Sequence, residues 1–293
     1  MYCDFQVSTC AKWILVGEHA VIRGHGALVF PIPSKQLLLR YQASDCELTV
    51  ECSGSDGAPV ASVFLMVLDH SLAQIQKQRT ELRGRFFLDS TFPVGVGMGA
   101  SAAVCAALSL WYVAQDLIPK TGWFDFAKQL EHLFHLTSSG LDIIGVTANT
   151  GMYFEKGQAQ AIQQVIQPKW YISSCQETGR TSQCIQQVQQ LWQKDAVLGK
   201  QIDAQMAHSV IEARQALEEG GPDAIPRLAH SMNQAAACFR QWGLVSYTLE
   251  NHMQSLREAG ALAVKPTGSG GGGYVVSLWE KEPPAELKLE SLI

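Results

Sequence analysis

The stretch Pro93-Val-Gly-Val-Gly-Met-Gly-Ala-Ser-Ala-Ala103 joins a predicted strand, 84–89, to an alanine-rich predicted helix that begins near Ala100. Its alternate glycines, at 95, 97 and 99, allow positive φ angles and let backbone amides come close to an anion. The helix directs its free N–H groups and the positive end of its dipole into the same space. A tight turn needs only one glycine, so three glycines followed by the Ser101 hydroxyl favour a phosphate-binding loop. The pattern is neither GxxxxGK[ST] nor GxGxxG, and it supports neither a Walker loop nor a dinucleotide fingerprint.

A second glycine-rich stretch, Lys265-Pro-Thr-Gly-Ser-Gly-Gly-Gly-Gly-Tyr274, lies near the end of the chain. By composition alone it would pass for a flexible linker. Its flanks, 259–264 and 274–278, are apolar enough to be buried. The glycines are therefore expected to form an ordered turn where another backbone or a ligand comes close.

A third stretch, Lys12-Trp-Ile-Leu-Val-Gly-Glu-His-Ala-Val-Ile-Arg-Gly24, places three polar groups around an apolar segment. Lys12 begins the apolar run, and Glu18 and His19 follow it after a glycine. Taken singly, Lys12 can be explained as a charge at a strand end and His19 as a hydrogen-bonded core histidine.

Periodicity predicts an α+β protein divided near residue 160. Strands are predicted at 5–9, 13–16, 27–29, 37–41, 47–52, 84–89, 151–154, 159–165, 170–173, 261–264 and 274–278. Helices are predicted at 60–78, 100–117, 123–136, 182–192, 200–219, 222–242 and 247–259.

The composition excludes several classes of protein. Of 293 residues 47% are hydrophobic and 17% charged, which excludes intrinsic disorder. The net charge is −5, so the chain has no excess of basic residues to bind nucleic acid or an anionic membrane. Any phosphate that this protein binds must be held by local groups.

Targeting signals and disulfides are not predicted. The first twenty residues lack a basic segment, and the longest uncharged apolar stretch, 100–114, is short of the roughly 20 residues of a membrane span. The eight cysteines form no CxxC pair, which favours free, buried thiols over disulfides or a metal site. A cytoplasmic location is the resulting expectation.

Together, the three stretches resemble the three motifs of the GHMP kinase superfamily. Its forms PGKxxLxGEHAVxxG, PxGxGLGSSA and KxTGAGGGG are matched at 10–24, 93–102 and 265–273, in the same order. Ser139-Gly-Leu-Asp142 resembles the family's PSGxD, with Glu131 eleven residues before the aspartate. The residues Glu-His-Ala-Val at 18–21 favour the branch of the family that phosphorylates mevalonate over the branch that phosphorylates galactose.

The resemblance implies a two-domain GHMP kinase fold. Residues 1–160 would form an ATP-binding domain similar to domain 2 of ribosomal protein S5, and residues 161–293 a ferredoxin-like α/β domain. The implied activity is ATP- and Mg²⁺-dependent phosphorylation of the primary hydroxyl of mevalonate, in isoprenoid biosynthesis. Another kinase of small molecules, such as a phosphomevalonate kinase, and a catalytically silent binding protein stay open as alternatives, as does a homodimer.

The resemblance also implies roles for single residues. Asp142 would be the catalytic base with Lys12 beside it, and both would touch the acceptor. Mg²⁺ would be held by Ser101 and Glu131. The ATP phosphates would be bound along Pro93, Gly95, Gly97, Met98, Gly99, Ala100, Ser101 and Ala102. Further acceptor contacts would come from Glu18, His19, Arg180, Thr181, Gly268, Ser269 and Gly270.

The chain departs from the family's motifs at several positions, none of which removes a proposed chemical group. Ala100 replaces a serine and so removes one hydroxyl near the phosphates. Leu136 and Ser138 replace a glycine and a proline, and we expect both to reshape the acceptor pocket. The other departures are Cys10-Ala11 for Pro-Gly, Met98 for leucine and Ser269 for alanine.

Overall fold

The computed structural model describes residues 3–54, 57–95, 97–134, 137–177, 179 and 181–292. The chain forms two compact units. Unit 1 comprises Met1–Lys12 and Pro31–Asn149, and unit 2 comprises Trp13–Phe30 and Thr150–Ile293. The first two strands therefore contribute residues to both units. The domain boundary at residue 160 stays a prediction.

The described elements confirm the α+β class. The strands are β1 Phe5–Val16, β2 Ala27–Glu47, β3 Thr49–Gly54, β4 Arg83–Ser90, β5 Met152–Glu155, β6 Gln158–Ala161, β7 Lys169–Ser174, β8 Ala263–Pro266, β9 Tyr274–Trp279 and β10 Glu290–Ser291. The helices are α1 Gly57–Gln74, α2 Ala100–Ala114, α3 Trp123–Leu130, α4 Leu141–Thr147, α5 Thr181–Lys194, α6 Ala196–Glu219, α7 Ala224–Gln241 and α8 Tyr247–Glu258.

Several predicted boundaries were wrong. Strands expected at 5–9 and 13–16 are one strand, β1, and those at 27–29 and 37–41 are parts of β2. Pro31 and Pro33 lie within β2. The helix expected at 123–136 ends at Leu130 and continues as a 3₁₀ turn, Glu131–Leu133. Residues 135 and 136, the last two of the predicted helix, lie outside the described part of the chain.

In unit 1, strand β4 pairs in parallel with β3 and antiparallel with β2. Phe86 of β4 packs edge to face against Phe64 of α1 and Trp111 of α2, with ring centroids 5.1 Å and 4.8 Å apart. All three rings are buried, and such aromatic pairs prefer this geometry. This packing fixes α2 on the sheet, and with it the glycine-rich loop that leads into α2.

Helix α2 is buried along most of its length, as its alanine-rich sequence predicts. Small side chains let it contact α1, α3 and α4 at once. Within the described ranges, no helix is both long enough and apolar enough to cross a membrane.

In unit 2, an antiparallel sheet has the strand order β10-β7-β9-β8. Helices α7 and α8 pack on β8, and α6 packs along α7. The core between α8 and the sheet contains Leu249, Met253, Val264, Val275 and Trp279, all buried. Strand β8 is thus covered by helices, so a charged side chain on it needs partners within the protein.

All eight cysteines are free, as predicted. Four of them are buried, Cys105, Cys175, Cys184 and Cys238, whereas Cys46 is exposed. The prediction of buried thiols is therefore correct for half of them.

Candidate active site

Lys12 and Asp142 form an ion pair in unit 1. The Lys12 ammonium lies 2.9 Å from Asp142 Oδ1, and the two side chains are 2% and 30% exposed. Lys12 comes from β1, and Asp142 is the second residue of α4. The structure thus joins two side chains that the sequence separates by 130 positions, and it leaves the carboxylate partly open to a ligand.

The same lysine is bound to the glycine loop, residues 93–99. Its ammonium donates a hydrogen bond to the Gly97 carbonyl at 3.3 Å, and its backbone N–H donates to the Met98 carbonyl at 2.9 Å. The loop is therefore held against β1 on one side and begins α2 on the other.

The glycines of this loop have the predicted left-handed conformation. Gly95, Gly97 and Gly99 have φ angles of 85°, 81° and 84°. At Gly99 an added Cβ would also come within 3.0 Å of the Lys12 and Val146 side chains. A glycine is therefore needed at position 99 for its positive φ and for the close approach of Lys12 and Val146. It places the first amides of α2 next to the loop. Pro93 precedes the loop's glycines, and Ala102 lies in the first turn of α2.

Glu131 is a buried carboxylate in the 3₁₀ turn after α3. The side chain is 1% exposed, and Oε2 accepts a hydrogen bond of 2.5 Å from the Ser138 hydroxyl. Oε1 is buried and has no hydrogen-bond partner among the described residues. Burial, and next the charge of Asp142, raise the pKa of Glu131 to about 8. A buried carboxylate oxygen without a donor is a group that a bound cation would satisfy.

Ser101 is the second residue of α2. Helix α2 contacts the 3₁₀ turn that carries Glu131, and burial, followed by the charge of Glu131, raises the pKa of Cys105 well above its usual range. Residues four apart on a helix share a face, so Ser101 is on the same side one turn earlier. A hydroxyl and a carboxylate are oxygen ligands of the kind that Mg²⁺ prefers, with phosphate oxygens and water completing its shell. The described residues contain no cluster of three or more His, Cys, Asp or Glu side chains that could hold a metal, and the two-ligand arrangement fits magnesium held jointly with a nucleotide.

Glu18, a predicted acceptor contact, forms a fully buried ion pair in unit 2 with Lys265, for which no role was predicted. Lys265 of β8 lies 2.6 Å from Glu18 Oε1, and the two side chains are 0% and 2% exposed. The ammonium also donates to the Pro266 and Ile14 carbonyls and lies 5.3 Å from the centroid of the Phe239 ring. In the sequence, Lys265 is distinguished only by its position at the start of the third motif.

His19 is buried beside the third motif. Its Nε2 lies 2.9 Å from the Ser269 carbonyl oxygen, and its ring meets Phe239 and Trp242 edge to face. Burial lowers the pKa of His19 to about 4, against the raising effect of the Ser269 carbonyl. At neutral pH the imidazole is therefore uncharged, and because a carbonyl can only accept, Nε2 carries the proton.

The third motif is an ordered turn, as predicted. The Thr267 hydroxyl donates to the Ile14 carbonyl at 3.0 Å and accepts from its N–H at 2.9 Å. Gly268 and Gly270 have φ angles of 88° and 77°, and a Cβ on Gly270 would lie 2.9 Å from the Phe239 ring. The backbone is packed too closely here for larger residues.

Two further predicted acceptor contacts meet at this turn. The Ser269 hydroxyl donates to Thr181 Oγ1 at 3.2 Å, so Thr181 and Ser269 lie together in unit 2. Arg180 lies outside the described residues.

We expect the Glu18–Lys265 pair to control the stability of unit 2. Lys265→Met leaves the buried Glu18 carboxylate without its cation and should lower the free energy of unfolding by about 3 to 5 kcal/mol. The double variant Glu18→Gln, Lys265→Met leaves no buried charge and should recover most of that loss. Urea unfolding gives the free energy of unfolding of the wild type, the single variant and the double variant.

Lys169→Met is the matched control, because Lys169 pairs with Glu282 at 2.8 Å on the surface. Its cost should stay below about 1 kcal/mol. An equal cost for the buried and exposed lysines would contradict the prediction.

His19 should make the protein less stable in mild acid. Its pKa is about 4 in the folded protein against 6.5 in an exposed histidine, so between these values the unfolded chain binds the extra proton. The free energy of unfolding should fall by about 3 kcal/mol as the pH decreases from 6.5 to 4. Urea unfolding at several pH values, compared with His19→Gln, tests this, since the variant should lack that part of the slope.

Known families match both halves of the chain. The model of the GHMP kinases N terminal domain matches residues 63–149, and that of the GHMP kinases C terminal domain matches residues 213–292. Together they account for more than half of the chain.

Relatives match over nearly the full length. The chain is 27% identical to a mevalonate kinase of Aeropyrum pernix, with 98% of this chain and 92% of the relative covered. It is 26% identical to a mevalonate kinase of Thermococcus sibiricus, with coverages of 92% and 88%. The crystal structure of L. major mevalonate kinase in complex with R-mevalonate superposes with a TM-score of 0.76, at 24% identity, covering 95% of this chain and 88% of that one.

The two domain models, the full-length relatives and the fold agree with the three motifs found in the sequence. The chain belongs to the GHMP kinase family, and it is a kinase that uses ATP.

Proposed function

We propose that this kinase transfers the γ-phosphoryl group of ATP to the primary hydroxyl of mevalonate. The observation that carries the chemistry is the Lys12–Asp142 pair, 2.9 Å apart and bound to the glycine loop through Lys12. The choice of acceptor is supported by the two relatives named mevalonate kinase and by the wording Glu-His-Ala-Val at 18–21.

Asp142 accepts the proton of the acceptor hydroxyl. The hydroxyl oxygen attacks the γ-phosphorus, the bond from that phosphorus to the bridging oxygen breaks, and ADP leaves. In such reactions the protein contributes mainly position and electrostatic stabilisation. Lys12 holds the Asp142 carboxylate in place and brings a positive charge to the transferring group, while general-base help from an aspartate typically contributes about 10²- to 10⁴-fold in rate.

The glycine loop binds the phosphates of ATP through its backbone. Gly95, Gly97 and Gly99 hold the loop in a conformation whose amides can face an anion, and the N-terminus of α2 adds its dipole. Ala100 contributes no hydroxyl, so Ser101 is the first side chain of α2 that can reach a phosphate or its metal.

Magnesium would be held by the Ser101 hydroxyl and Glu131 Oε1. A bound Mg²⁺ offsets the charge of the β- and γ-phosphates during transfer. Glu131 would supply a carboxylate oxygen to the ion, and Ser101 would fix the position of the phosphates relative to α2.

For unit 2 we propose that Glu18 and His19 contact the acceptor. The neutral imidazole donates a hydrogen bond from Nε2–H to the Ser269 carbonyl, which leaves Nδ1 as a hydrogen-bond acceptor. Arg180 and Thr181 are proposed to bind the acceptor's carboxylate, with Gly268, Ser269 and Gly270 forming the adjoining backbone.

The acceptor is tested by measuring ADP release with mevalonate, phosphomevalonate, galactose and homoserine in separate reactions. Turnover is expected with mevalonate. Turnover of another acceptor and none of mevalonate would overturn the choice of substrate, and ATP binding without turnover of any acceptor would favour a silent member of the family.

The catalytic base is tested by Asp142→Asn. The amide keeps the size of the side chain but cannot take the proton, so kcat should fall by about 10²- to 10⁴-fold with ADP affinity unchanged. Asp125→Asn, an exposed change on α3, should keep wild-type turnover. A kcat near wild type for Asp142→Asn would show that another group takes the proton.

A further inference from the structure

The Ser138 hydroxyl bridges the candidate magnesium ligand and the turn that carries the candidate base. It lies 2.5 Å from Glu131 Oε2 and 3.1 Å from the Gly140 backbone nitrogen. Gly140 is the residue immediately before α4, on which Asp142 lies. The family's pattern has proline at this position, and a proline side chain can make neither hydrogen bond.

The direction of both hydrogen bonds follows from the chemistry. The Gly140 N–H can only donate, so Ser138 Oγ accepts from it. A serine hydroxyl has one proton to donate, and Oε2 of Glu131 is the acceptor within reach of it. Ser138 therefore donates its one hydroxyl hydrogen bond to a single oxygen of Glu131, Oε2.

The two oxygens of Glu131 consequently have different environments. Oε2 is held by Ser138, whereas Oε1 is buried and lacks a hydrogen-bond partner within the described ranges. Rotation of the carboxyl group would give up the short hydrogen bond from Ser138. The carboxylate is thus fixed with one oxygen presented for a further partner.

The anchor of Ser138 is itself rigid. Gly140 has a φ of 90°, and a Cβ there would lie 2.7 Å from the Phe124 ring of α3. The Ser139 hydroxyl accepts from the Leu141 N–H at 3.2 Å, which closes the same turn. The turn from Ser138 to Leu141 is therefore packed against α3, the helix that leads to Glu131.

We propose that Ser138 is a positioning residue for magnesium, fixing Glu131 so that Oε1 is the oxygen that binds the ion. The inference rests on the proposed function, because it needs Glu131 to be a magnesium ligand. It assigns to Ser138 a different task from reshaping the acceptor pocket. Groups that orient a metal ligand typically change metal affinity by about 10- to 100-fold when they are removed.

The test measures how much Mg²⁺ increases the affinity for ADP. Isothermal titration gives the ADP dissociation constant in excess Mg²⁺ and in EDTA, and the ratio of the two reports the bound ion without any turnover. In Ser138→Ala this ratio should fall by about tenfold, while the ADP dissociation constant in EDTA should stay unchanged. Ser138→Thr keeps the hydroxyl and should restore the wild-type ratio.

Thr147→Val is the matched control, because among the described residues this hydroxyl on α4 bonds only to the helix carbonyls of Ile143 and Ile144. It should leave the ratio unchanged. Ser138→Cys, which keeps the volume with a weaker donor, is the second variant should the alanine protein fail to fold, and its ratio should also fall.

A double-variant comparison separates action through Glu131 from a general effect. In a Glu131→Gln background, Ser138→Ala should change the ratio by less than twofold. A tenfold change there, or an unchanged ratio in Ser138→Ala beside a clear Mg²⁺ effect in the wild type, would overturn the role of Ser138 alone. Absence of any Mg²⁺ effect in the wild type would overturn the magnesium site itself, and the role of Ser138 with it.

Discussion

The buried ammonium of Lys12 organises unit 1. Removing a charge from water costs several kcal/mol unless partners replace the lost hydration, and Lys12 finds them in the Asp142 carboxylate and the Gly97 carbonyl. Strand β1, the glycine loop and helix α4 must therefore come together for the lysine to be accommodated. The chemical groups proposed for phosphoryl transfer are thus held by the same contacts that compensate the buried charge.

Local features of the site could be read from the sequence, because backbone conformation depends on neighbouring residues. The spacing of Gly95, Gly97 and Gly99 was sufficient to predict the loop and the start of α2. Helix α4 has seven residues, too few to display a helical period, and it was missed although Asp142 lies on it. The strands β1 and β2 were divided at polar residues and prolines that the sheet in fact accommodates.

Contacts between distant residues could not be predicted in this way. Glu18 and Lys265 are 247 positions apart, and no periodicity links them. Ser138 had a signal, a departure from the family's proline, but the sequence alone pointed to the acceptor pocket rather than to Glu131. In both cases the partner, and not the residue type, determines what the side chain does, and only the folded chain identifies the partner.

The buried pair of Glu18 and Lys265 also limits how this protein can change over time. Replacing either residue alone by a neutral one leaves the other charge buried without its partner in this ion pair. A lineage that loses one partner is therefore under pressure to lose or restore the other almost at once. Substitutions at these two positions, 247 residues apart in the chain, are therefore expected to occur together.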